Sequence, residues 1–123
     1  APLLIMALQS EFPGHVLAQS RPSTSSAVSL YAPASHNRTE IRKIIISNVS
    51  ADPVTFRIFH DEDGTTYDET TSLFWNIPVD NGETVSIEEQ FWMEGRKSGN
   101  LAIRSSVANS LNFTVYGAED KVK

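Results

Sequence analysis

The chain has 123 residues and a mass of 13.6 kDa, the span of one domain, and its 40% apolar and 20% charged residues suffice for a core without metal or disulfide staples. Fifteen acidic against ten basic side chains leave a net charge of −5, so no overall field draws it onto nucleic acid or an anionic membrane. With no cysteine, disulfides, thiolate metal ligands and a cysteine nucleophile are excluded.

Residues 1–26 differ in kind from the rest and read as an N-terminal arm and linker. The apolar run Leu3–Leu8 is far shorter than the ~20 residues of a spanning helix. No Lys or Arg precedes it, as a signal peptide would require, so the expectation is a soluble, unprocessed chain. The run Ser20-Arg21-Pro22-Ser23-Thr24-Ser25-Ser26 has linker chemistry. Leu3, Leu4, Ile5, Met6, Leu8, Phe12, Val16 and Leu17 follow neither a helical nor a strand period. An extended arm with these side chains needs shelter, either against a neighbouring molecule or as an edge strand on its own domain. Fully extended, it would reach on the order of 85 Å.

From Ala27 the chain is a series of β-prone runs divided by turn chemistry. The runs are Val28 to Ala32, Glu40 to Ser47, Val54 to His60, Leu73 to Ile77, Thr84 to Glu89, Leu101 to Ser105 and Leu111 to Tyr116, each with β-branched or aromatic residues. Between them fall turn signals such as Asp63-Gly64, Asp80-Asn81-Gly82 and Ser98-Gly99-Asn100. Alternation puts Val54, Phe56 and Ile58 on one face, as it does Val85 and Ile87, Leu101 and Ile103, and Leu111, Phe113 and Val115. Ile44-Ile45-Ile46 is apolar on both faces, which predicts a central strand covered from both sides. The expected fold is all-β, a two-sheet antiparallel β-sandwich of jelly-roll or Greek-key type with an extended N-terminal arm. The domain spans 27–118, and 119–123 forms a short charged tail.

Chemical motifs are sparse. Asp61-Glu62-Asp63-Gly64-Thr65-Thr66-Tyr67-Asp68-Glu69 offers carboxylates for Ca²⁺, but with Gly64 at the sixth loop position, Phe59 and Thr70 would fall where an EF-hand needs acids. A solvated loop is the expectation. His15, His36 and His60 have no metal-presetting spacing, and there is no Gly-x-Ser-x-Gly elbow or phosphate loop. Glu88 and Glu89 would point to opposite faces of a strand and cannot flank one glycosidic bond. No catalytic, cofactor-binding or metal residue is therefore assigned, and an enzyme is not expected. Phe74-Trp75 and Phe91-Trp92 each put one ring on either face of a strand. Trp75 and Trp92 become candidate aromatic contacts between subunits, with a carbohydrate-binding module as the alternative.

Leu30-Tyr31-Ala32-Pro33, then Arg38 through Asn48 with its Ile44-Ile45-Ile46-Ser47-Asn48 ending, Val54 through Phe59, Gly82-Glu83-Thr84-Val85 and the closing Phe113-Thr114-Val115-Tyr116-Gly117 carry a resemblance. Over about residues 28 to 118 the chain resembles a small β-sandwich domain of tailed-bacteriophage virion proteins. The resemblance implies a structural role with no catalytic residues: a capsid decoration or cement protein, forming homotrimers that bind the major capsid protein on the outer capsid surface of the virion, or else a neck, tail or fibre component.

Overall fold

In a computed structural model, which describes residues 14–121, the chain forms nine strands: β1 His15–Ser20, β2 Val28–Tyr31, β3 Asn37–Asn48, β4 Val54–Asp61, β5 Ser72–Val79, β6 Thr84–Ile87, β7 Phe91–Glu94, β8 Asn100–Ser105 and β9 Leu111–Lys121. A 3-10 turn, Gly95–Lys97, follows β7. The strands make two antiparallel sheets packed face to face. One has the order β1-β9-β3-β6, with β7 also on β3, and the other β2-β8-β4-β5. The fold is the all-β, two-sheet sandwich expected.

The alternating apolar residues supply the core. Ile41, Ile44, Ile46, Leu111, Phe113 and Val115 from the first sheet meet Val54, Phe56, Ile58, Leu101 and Ile103 from the second, all at most 2% exposed. Burying each such side chain contributes roughly 1.5–3 kcal/mol of transfer free energy. Phe56 sits edge-on to Phe113 across the two layers, with ring centres 6.2 Å apart, the favoured geometry for aromatic pairs. Tyr31 ties the layers at one end. Its hydroxyl lies 2.8 Å from Thr39 Oγ1 and donates to Glu119 Oε2 at 2.8 Å. Desolvation by burial, helped by Glu119, pushes its pKa up to about 12.

Three departures from the sequence reading have identifiable causes. First, the domain's sheet begins at His15, inside the stretch read as arm and linker: His15–Ser20 takes the second of the two shelters expected, an edge strand on its own domain, where it covers one flank of β9 and its backbone polar groups. Second, β9 runs through Lys121, paired to β3 from Asn37↔Lys121 to Asn48↔Leu111. Glu119 and Asp120, expected in the tail, thus belong to the sheet. Third, Ile45 is half-buried on the outer face rather than covered; β3 carries one extra residue at Arg42, between the pairs Ile41↔Gly117 and Lys43↔Tyr116, so that Ile41, Ile44 and Ile46 all face the core. β1 carries another at Leu17, between Val16↔Tyr116 and Ala18↔Val115. Such bulges bend a sheet locally, and here both border Tyr116 of β9.

Candidate functional site

The open N-terminal edge is the first feature. β1 pairs only with β9 among the described residues, so its far side presents unpaired backbone donors and acceptors. The chain enters this strand through Gly14, at φ 90°, a conformation that suits glycine. Of the eight apolar arm residues singled out in the sequence, Val16 projects outward at 48% exposure, whereas Leu17 is half-buried against the core. Leu3, Leu4, Ile5, Met6, Leu8 and Phe12 lie outside the described residues.

The two tryptophans stand on opposite sheets, each beside a half-buried phenylalanine that packs on the core: Phe74 next to Trp75, Phe91 next to Trp92. Each carries a guanidinium on its ring face. Arg38 lies 4.8 Å from the Trp92 centroid and Arg57 3.6 Å from that of Trp75, within the range of cation–π attraction. Trp92 is 50% exposed and Trp75 39%. Trp75 is the more tightly held. It stands perpendicular to Phe59 at 6.2 Å, and the adjacent Asn76, at φ 54°, accepts a hydrogen bond from Arg57 Nε at 2.7 Å. A cavity of about 180 Å³ opens beside it, lined by Glu69, Ser72 and Trp75.

The acidic loop between β4 and β5 folds over Phe59. Asp61, 8% exposed, accepts the backbone N–H of Thr66 at 2.8 Å and of Asp63 at 3.2 Å. Those bonds hold its carboxyl below the usual carboxylate range. Asp68 accepts from the Thr70 hydroxyl and backbone N–H and Glu62 from Lys97 at 2.8 Å, which lowers both pKa values as well. These carboxylates are spent on loop closure rather than pooled. No group of three or more His, Asp or Glu side chains among the described residues is placed to hold a metal. Tyr67, donated by this loop, stacks at 6.1 Å on Phe59 and hydrogen-bonds Asn100 Oδ1 at 2.9 Å. Ser29 also donates to that oxygen.

No family model and no curated protein matches the chain.

His60 is the fourth feature. It faces the sandwich interior at the mouth between β5 and β7, in a cavity of about 340 Å³ with Leu73, Phe74, Glu89 and Phe91. Its ring lies 5.1 Å from that of Phe91, and its Nε2 is buried with no hydrogen-bond partner among the described residues. Desolvation lowers its pKa despite the nearby charges of Glu62 and Asp61. His15, His36 and His60 are not brought together: they lie on β1, in the turn before β3 and on β4. Glu88 and Glu89 lie in the link between β6 and β7, Glu88 facing Lys43 at 3.6 Å and Glu89 at the mouth.

Sequence reasoning missed the outer cluster Phe59–Tyr67–Trp75. Strict alternation sends Phe59 to the solvent side, where it is nonetheless 1% exposed. The clue available was composition: Phe59 is the one large apolar residue on the polar face of β4, and an aromatic there calls for a cover.

Proposed function

We propose that this chain is a structural virion protein of a tailed bacteriophage, a capsid decoration protein that binds the major capsid protein on the outer shell and acts through subunit contacts, not catalysis. The observation that carries the proposal is the position of β1. Residues 14–121 build a core in which fourteen clustered apolar side chains are at most 8% exposed, and the apolar sequence Leu3–Phe12 runs directly into the open edge strand of the five-stranded sheet. A segment of that composition gains most by extending a neighbour's sheet, where backbone hydrogen bonds give affinity and alternate side chains give specificity. Exchange of arms around a closed homotrimer satisfies all subunits equally. Three weak capsid contacts on one trimer then act together through effective concentration. The sequence resemblance over about residues 28 to 118 points to the same role.

The test is removal of residues 1–13. The cut stops there because His15–Ser20 is a strand of the domain. The intact protein is expected to co-sediment with capsid shells and to label the outer shell surface in electron micrographs, and the truncated protein to do neither while keeping its β-sheet circular dichroism. Equal attachment of the truncated protein would overturn the arm's role, and labelling confined to neck, tail or fibre would overturn the capsid assignment.

A further inference from the structure

On the outer face of the four-stranded sheet, Arg57 of β4 is paired directly opposite Arg104 of β8. Like charges in this position are destabilising. No carboxylate of the described residues lies within salt-bridge distance of either guanidinium, although the chain carries an acidic excess and four Lys or Arg ion pairs form elsewhere among the described residues. Both side chains are instead held by neutral groups that leave their terminal nitrogens available. Arg57 stacks on Trp75 and donates Nε to Asn76. Arg104 donates Nε to the Ser25 carbonyl at 3.0 Å. Desolvation, and then the charge of Arg104, lower the pKa of Arg57, with the charge of Glu69 acting the other way. A fork of two guanidiniums with unspent donors matches a planar or tetrahedral anion.

The row continues past Arg57. Trp75 lies on the next strand, and beyond it the cavity lined by Glu69 and Ser72. From Arg104 across Arg57 to Trp75 the face spans three strands, roughly 10 Å at the usual strand spacing. One end therefore offers two cations, the middle the part of the Trp75 indole that borders the cavity rather than the face Arg57 covers, and the far end a carboxylate and a hydroxyl. We propose that this face binds an acidic saccharide: its carboxylate or sulfate sits between Arg57 and Arg104, a ring packs against Trp75, and hydroxyls reach Glu69 and Ser72. A simple anion would leave the aromatic and the Glu69 end unused. A neutral glycan would leave Arg104 opposite Arg57 with only the charge of Glu69 to offset the pair.

Every residue named for this face lies outside residues 1–13. Trp92→Phe leaves Trp75 as the only indole, since the chain has two tryptophans, and its fluorescence reports the face directly. In that background the probes are a galacturonate trimer, a sialylated trisaccharide and a sulfated chondroitin disaccharide, each against its neutral counterpart. At least one acidic probe should give a saturable change in emission that weakens with added salt and that Arg104→Gln weakens about tenfold or more. The neutral counterparts should give none. No response to any acidic probe, equal response to a neutral one, unchanged affinity in Arg104→Gln, or equally tight binding of inorganic sulfate would each overturn the proposal.

Discussion

A β-carbon on Gly117 would stand 2.1 Å from the carbonyl oxygen of Glu40, so the closest approach of the two longest strands depends on a missing side chain. The same carbon would lie 2.9 Å from Leu17 Cδ1. Gly117 thus accommodates both bulges of the five-stranded sheet, Arg42 on one flank and Leu17 on the other. Its requirement is space between strands, not a left-handed backbone. Gly117→Ala should lower stability by at least roughly 1–3 kcal/mol, the usual cost of overpacking, and should weaken protection of the β1 amides against hydrogen exchange. A urea midpoint unchanged from the parent would contradict this reading.

Asp61 makes the acidic loop pH-sensitive. Its folded pKa lies below the ordinary value of 3.8 because the backbone N–H groups of Thr66 and Asp63 favour the ionised form. Below its ordinary pKa the unfolded chain takes up the proton first, so this contribution to stability is full above about pH 4 and drains away as the pH falls further. Asp61→Asn should therefore melt lower than the parent near neutral pH, and the gap should narrow below about pH 4. The difference between melting temperatures across that range measures it; a gap that stays constant would remove the carboxylate from the account.

His60 works in a different window. Burial favours its neutral form in the folded state, whereas the unfolded chain protonates near the ordinary value of 6.5. The unfolded state then holds more protons below that pH, so stability falls as the pH drops through about 6.5 and below. His60→Phe keeps a ring against Phe91 and removes the titration. The parent should lose stability between about pH 7 and pH 5 beyond what the variant loses, read by chemical denaturation at each pH. Parallel losses in the two proteins would refute the assignment.

The sandwich was readable because its inner face follows a strict period of two: Val54-Phe56-Ile58, Leu101-Ile103 and Leu111-Phe113-Val115 are all core residues. β7 was readable only as a strand position for Phe91 and Trp92, not as a run with its own bounds. Phe91-Trp92-Met93 is too short and too uniformly apolar to show a period, and only its pairing with Arg38–Ile41 makes it a strand. The bulges at Arg42 and Leu17 hid for the same reason, since an extra residue leaves no mark until the partner strand is known. On the outer face of the second sheet, the alternation gave Arg57 and Arg104 as outward residues. That they stand opposite each other depends on β4 pairing with β8, across more than forty intervening residues, and local sequence carries no register over such a distance.

The central claim, that the apolar N-terminal sequence joins subunits, is tested most directly by mass in solution. Sedimentation equilibrium of the intact chain should give about three times the 13.6 kDa of one subunit, and the chain lacking residues 1–13 should give one subunit with its fold retained. An intact chain that sediments as a folded monomer at every concentration would contradict the account.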